Sequence, residues 1–263
     1  MIPSASRAEV MISFGAGLVA VLVQGGPAFA LAEWTRTASG CEVWNENPKQ
    51  GETYAWDGAC VAGKASGTGT LTFSHVEDGV TRAGSYRGGM RAGRQHGRGV
   101  YVWTNGDRYE GDYVDGEFSG RGVRIWVRGD RYEGGYRNGV FEGRGTYTWA
   151  SGARYDGEFH NDMKHGHGVQ TWPSGARYEG DYDRDRQHGH GVFVGAHGDR
   201  YDGEWRAGRQ HGTAVYSWPN GDTYEGPYFE GRKHGAGRCR AAGGDEWVTC
   251  IFKDGEPVAP LAR

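Results

Sequence analysis

Between Leu71 and Leu261 the chain contains no leucine. Leucine-rich and helical solenoids bury leucine or its equivalents at every repeat, so this absence excludes them. Glycine recurring through the same region argues against helix of any kind. A cationic excess is also missing: 30 Lys and Arg stand against 33 Asp and Glu, for a net charge of −3. Nothing in that balance points to nucleic acid, whose phosphates demand a basic face. Cysteine is sparse, with Cys41 and Cys60 forming one close pair and Cys239 and Cys250 another, neither at CxxC spacing. What the chain has in quantity is glycine, 49 of 263 residues. That level would suit an unstructured low-complexity chain if the glycines fell without order, but they are ordered.

The first thirty residues differ from the rest. Arg7 lies in a short polar opening, residues 11–23 read "MISFGAGLVAVLV", and "GGPAFALA" comes directly after Gln24. The apolar run is shorter than the roughly 20 residues that span a bilayer as a helix, and Ala28-Phe29-Ala30 has the small-x-small form of a signal-peptidase site. Residues 1–30 are therefore expected to be a secretory signal peptide, cut after Ala30 or else Ala32, and the protein to be periplasmic or secreted. Glu9 departs from the usual positive opening and leaves an uncleaved membrane anchor as the alternative.

A fixed period dominates the remainder of the chain. Tyr109 returns as Tyr132, Tyr155, Tyr178, Tyr201 and Tyr224, each 23 residues on and each followed by an acid and a glycine. Residues 109–131 read "YEGDYVDGEFSGRGVRIWVRGDR". Tyr109, Gly111 and Tyr113 alternate with Glu110, and Gly120, Gly122, Arg124 and Trp126 alternate with Arg121, Val123 and Ile125; period two over short runs means strand. Links such as "TNGD" (104–107) and "PNGD" (219–222) place Asn-Gly where a hairpin turn requires positive φ. The fold class is therefore all-β, an elongated single-layer solenoid of antiparallel β-hairpins. Degenerate copies begin at Tyr86 and Trp247, and Trp56 opens a copy lengthened by a loop within "FSHVEDGVTRAGS". The expected organisation is a cap over 31–55, about eight repeats over 56–250 and a tail over 251–263. Glycines on the aromatic face leave room for flat rings, so the aromatics replace an aliphatic core.

The motif Y-[ED]-G-x-[YFW], succeeded by glycine and then by H-G-x-G at a 23-residue period, resembles the MORN repeat. That resemblance implies a β-hairpin solenoid working in protein–protein or protein–membrane contact. Some members of the family carry kinase or methyltransferase modules, for which no segment of this chain is long enough. Ser119 and Glu142 stand in place of the motif histidine, Gly195 in place of tryptophan, and Ala214 in place of the second glycine of H-G-x-G.

Candidate chemistry is limited. Each cysteine pair is equidistant from a polar turn, which predicts two cross-strand disulfides stapling the end hairpins. His96, His165, His188, His211 and His234 share one repeat position, whereas His167 and His190 are extra. His165 with His167, or His188 with His190, offers at most a two-ligand surface site, and repeats about 10 Å apart, twice the strand spacing, cannot share one zinc ion. Arg108, Arg131, Arg154, Arg177 and Arg200 suggest phosphate binding, but Glu110, Glu133, Asp156, Glu179 and Asp202 come two residues later on the same face and predict a mixed-sign ladder. Ser119, Ser151 and Ser174 sit at turn positions without a triad, and an enzymatic reading would need a shallow carboxylate pair such as Asp156 and Glu158. The expectation is a non-enzymatic interaction scaffold without a cofactor, binding a protein or membrane surface. The alternative is glycan binding through an aromatic stripe formed by Trp103, Trp126, Trp149, Trp172 and Trp218 with Tyr109, Tyr132, Tyr155, Tyr178 and Tyr201.

Overall fold

The computed structural model describes residues 32–258. The predicted signal peptide lies outside the described residues. All regular structure among them is β-strand, in one open sheet. The strands that position the site are β1 (Glu33–Arg36), β2 (Glu42–Asn45), β3 (Thr53–Trp56), β4 (Ala59–Val61), β5 (Lys64–Glu77), β6 (Val80–Arg91), β7 (Arg94–Val102), β8 (Arg108–Val114) and β9 (Glu117–Ile125). From β5 onward the strands run as successive antiparallel hairpins, while β2 meets β5 in parallel and β3 and β4 both pair with β5. From β8 onward a seven-residue strand, a two-residue turn, a nine-residue strand and a five-residue loop fill the 23-residue period.

The two connections differ from the predicted turns. The tight ones are not "TNGD" and its copies but Asp115-Gly116, Asn138-Gly139, Asn161-Asp162, Arg184-Asp185, Ala207-Gly208 and Glu230-Gly231, with positive φ at both residues. That is the signature of type I′, whose twist matches the flanking strands. The wider five-residue loops carry the Asn-Gly and Ser-Gly pairs. In the first, Asp107 N–H is accepted by Asn105 Oδ1 at 3.0 Å, and Trp103 N–H donates to Asp107 O at 2.9 Å. Neighbouring repeats are tied at the loops, where Asp107 Oδ1 accepts Val127 N–H and Asp130 Oδ1 accepts Ala150 N–H.

The two glycines of H-G-x-G do different work. Gly122 pairs with Gly111 beneath the Tyr109 ring, where a Cβ on Gly122 would come within 2.6 Å of ring carbons. Gly120, by contrast, has φ +60 and sits in a β-bulge: Gly111 pairs with Gly122 while the adjacent Asp112 pairs with Ser119. The bulge breaks the even alternation read from "GRGVRIW", so Gly120 does not share the ring-bearing role of Gly122. The Asp112 carboxylate accepts Arg121 N–H at 3.2 Å, and Glu204 accepts Thr213 N–H at the equivalent bulge. An acid at the x position of Y-[ED]-G-x-[YFW] therefore caps the bulge.

Three boundaries are corrected. "FSHVEDGVTRAGS" is not a loop, because β5 and β6 continue in register through it to a two-residue turn at Asp78-Gly79. The region assigned to a tail continues the sheet, with Val248–Lys253 and Glu256–Pro257 forming a last hairpin. The disulfide Cys41–Cys60 does not staple one hairpin. It joins the start of β2 to β4, tying the β1–β2 cap to the first repeat, since β3 and β4 both pair with β5. Cys239–Cys250 does link adjacent strands, diagonally, with Cys250 opposite Gly237.

The core is one row of rings. Tyr86, Tyr109, Tyr132, Tyr155, Tyr178, Tyr201 and Tyr224 have no exposed surface. From Tyr109 onward each ring stands edge-on to the aromatic of its own strand and to that of the next repeat, as Tyr132 meets Tyr136 at 5.3 Å and Phe159 at 5.1 Å; Tyr86, whose own strand carries Met90 there, meets Tyr113. Each hydroxyl donates to a backbone carbonyl three residues on, as Tyr109 does to Asp112 O at 3.0 Å. Because every ring touches two repeats, no single repeat buries its own core, and stability rests on stacking.

Candidate functional site

The predicted aromatic stripe divides into two populations. Tyr109, Tyr132, Tyr155, Tyr178 and Tyr201 are completely buried and leave the surface, because the paired glycines let them sink onto the sheet. Trp103, Trp126, Trp149, Trp172 and Trp218 are half-buried, at the start of the five-residue loops, packed against the core by one side. The row is interrupted at Gly195, where a Cβ would collide with the Asp199 carboxylate. Only the tryptophan part of the stripe can meet a ligand.

Two further columns on this face were missed by sequence reasoning. One is the residue opposite the core tyrosine: Tyr101, Arg124, Tyr147, Gln170, Phe193 and Tyr216. The other is the second residue after each tight turn: Gln95, Phe118, Phe141, Lys164, Gln187, Gln210 and Lys233. Phe118 stacks on Tyr109 at 3.9 Å and Phe141 on Tyr132 at 3.7 Å. Both columns recur at the 23-residue period, which is the signal that could have found them, but their chemistry varies from copy to copy.

Where these columns carry cations, the rings hold them. The Arg124 guanidinium lies 4.8 Å from the ring centres of both Trp103 and Trp126. Lys164 Nζ lies 4.8 Å from the Tyr182 ring and 5.5 Å from Tyr155, and donates to Gln170 Oε1 at 3.0 Å. Lys233 Nζ sits 3.7 Å over Trp218, with Tyr224 at 4.8 Å, Tyr216 at 5.0 Å and Phe252 at 5.2 Å. Burial pushes the Lys233 ammonium down to about 8 and lowers that of Lys164. The negative faces of the rings partly replace the lost hydration.

The opposite face is a charge ladder. Arg108–Glu110, Arg131–Glu133, Arg154–Asp156, Arg177–Glu179 and Arg200–Asp202 pair along each strand at 2.5–2.6 Å. The side-chain bond from Arg108 holds the Glu110 carboxyl below its usual range, and Arg177 does the same for Glu179. The arginines are therefore engaged and do not form an anion-binding column. His165 lies 3.6 Å from Asp183, His167 3.3 Å from Asp181, and His190 3.1 Å from Asp202, while His188 stands opposite Asp181 in the register. Among the described residues no group of three or more His, Cys, Asp or Glu is arranged to hold a metal ion. Asp156 also accepts a bond from Thr146 Oγ1 at 3.0 Å, and the serine hydroxyls of Ser151 and Ser174 accept the Ala153 and Ala176 N–H groups within their loops.

The MORN repeat family model matches seven consecutive segments: 86–108, 109–131, 132–154, 155–177, 178–200, 201–223 and 224–246. Comparison with curated proteins finds no match. Among solved structures, the chain is similar to the SAS-4 (dCPAP) TCP domain in complex with a proline-rich motif of Ana2 (dSTIL) of Drosophila melanogaster, at 11% identity and TM-score 0.38 over 58% of this chain and 82% of that one.

Proposed function

The chain belongs to the MORN repeat family, and from that premise we propose that it is an exported, non-enzymatic scaffold that binds a protein partner along its tryptophan-lined face. One observation carries this reading: a row of half-buried tryptophans interleaved with cations remains open on a sheet whose other face is closed by ion pairs. Trp and Arg are enriched among the residues that anchor interfaces, Trp because it offers large area at little cost in side-chain freedom. Two disulfides favour an oxidising compartment and support export. Among the described residues no helix is long and apolar enough to cross a membrane.

The test is capture of partners from the envelope and medium of the producing cell by the parent chain and by Trp126→Ala and Trp149→Ala. Parent-specific proteins lost in both variants support the proposal. Binding to polysaccharide arrays that is lost in the same variants would instead support the glycan reading, and turnover on a glycoside panel would overturn the non-enzymatic one. Mass spectrometry of the mature N-terminus checks export, with cleavage after Ala30 expected.

A further inference from the structure

The bay around the first regular repeat differs from those at Lys164 and Lys233, and it differs from the bays at Gln187 and Gln210 in having the loop between β2 and β3 beside it. The position held by Lys164 and Lys233 in later repeats is held here by Gln95. Around it Trp44, Tyr54, Phe73, Tyr101, Trp103 and Phe118 wall a cleft of about 340 Å³. That volume is at the lower end of what small-molecule sites use. The loop between β2 and β3 closes one side and brings Glu46 and Glu52 to the lining. Glu52 is held in place, its Oε2 accepting Asn45 Nδ2–H and Lys49 N–H, both at 3.1 Å. Burial, with the charges of Glu52 and Glu46, raises the Tyr101 hydroxyl far above the usual phenol range, and burial with Glu52 does the same to Tyr54.

Two positive groups lie near the cleft. Lys49 lines the cleft with its Nζ 3.1 Å from His75 Nε2. Arg124 is held between Trp103 and Trp126. The cleft therefore combines ring faces with two carboxylates against the one ammonium of Lys49, and the lysine that two later bays seat among the rings is replaced here by Gln95.

We infer that this cleft is a binding site for an organic cation, an alkylammonium or quaternary ammonium group. The ligand class comes from the repeat itself. In two later bays the same position seats a lysine ammonium against tyrosine and tryptophan rings, at 4.8 Å in one and 3.7 Å in the other. Here the corresponding position carries a neutral glutamine, and Glu46 and Glu52 line the cleft beside it. A cation desolvated over aromatic faces gains quadrupole attraction that a neutral group of the same shape does not. The site needs no protein partner, so it stands or falls separately from the scaffold reading.

The experiment titrates the full chain with choline and with 3,3-dimethylbutanol, its neutral carbon isostere, following tryptophan fluorescence and heat. Choline is expected to saturate and to bind about tenfold more tightly than the isostere, the contrast a desolvated cation–π contact supports. Glu52→Gln should weaken choline about tenfold. Gln95→Lys should abolish binding by supplying a resident ammonium, and its strand signal and melting should match the parent, because lysine is native at the equivalent positions. Equal binding of choline and the isostere, unchanged binding by Gln95→Lys, or no saturation by choline up to about 50 mM would overturn the assignment. Saturation by a disaccharide with none by choline would overturn it in favour of a sugar.

Discussion

Gly145→Ala tests the packing rule on which the fold rests. Gly145 lies opposite Gly134 beneath the Tyr132 ring, and a Cβ there would stand 2.5 Å from the hydroxyl and 2.7 Å from two ring carbons. Ordinary contact would require the ring to lift by about 1 Å, and a packed interior does not yield that freely. It has nowhere to go: Phe141 stacks above it at 3.7 Å while Tyr136 and Phe159 close both edges. Overpacking of this kind costs about 1–3 kcal/mol. Lifting the ring also strains the 2.9 Å bond from the Tyr132 hydroxyl to Gly135 O, which adds about 1 kcal/mol. The expected loss is about 2–4 kcal/mol, read by urea unfolding followed through strand circular dichroism. Gly244→Ala is the control, since a Cβ there meets only one carbonyl oxygen at 3.4 Å and needs no positive φ; it should be neutral within about 0.5 kcal/mol. The natural Ala214 is consistent with this packing rule. It occupies the equivalent place under Tyr201, where Gln210 replaces the stacked phenylalanine and leaves the ring unclamped. Parent-like stability of Gly145→Ala would refute the seating of rings on glycine.

Three other outcomes are expected. Arg184→Asn should stabilise the chain by about 0.5–1 kcal/mol in the same unfolding assay, because Arg184 has φ +48 at the first position of a tight turn, a conformation asparagine tolerates better. Opening Cys239–Cys250, an 11-residue separation, should cost about 3 kcal/mol, seen as a lower urea midpoint for the last hairpin in reductant. Lys233 titrates near 8 in the folded chain, below its unfolded value of 10.5, so the unfolded state holds more protons between those values. Stability should rise with pH from about 8 to about 10.5, and Lys233→Met should remove that component of the slope in melts across this range.

The repeat, the strand period and the role of glycine beneath the rings were legible because each depends on residue type at fixed spacing. Tyr and the second glycine of H-G-x-G cannot be exchanged for much else, so from Tyr86 to Tyr224 the tyrosine recurs unchanged and the glycine gives way only to Ala214. The turn placement was not legible in the same way. Asn-Gly is a strong hairpin signal, and it drew attention to loops such as 104–107, while the type I′ turns use pairs as varied as Asp115-Gly116 and Arg184-Asp185. The bulge at Gly120 was hidden because period-two reading assumes no extra residues. For the site, the tryptophan column was visible, but the burial separating it from Tyr109 and its copies depends on ring depth, which spacing does not encode. Lys164 and Lys233 were overlooked since a lysine after a turn reads as solvent-facing. The cap was least legible: Cys41 and Cys60 are symmetric about residues 50–51, yet β3 and β4 both pair with β5, a long-range arrangement that local spacing cannot reveal.

The claim that the tryptophan face is the working surface is tested most directly by photo-crosslinking in the producing cell. A photoreactive residue placed at Trp149 or Trp126 would be compared with one at Arg121 on the exposed, non-aromatic side. A discrete protein adduct from positions 126 and 149, and none from 121, is the expected result. Identical adducts from all three positions, or adducts from 121 alone, would contradict the claim.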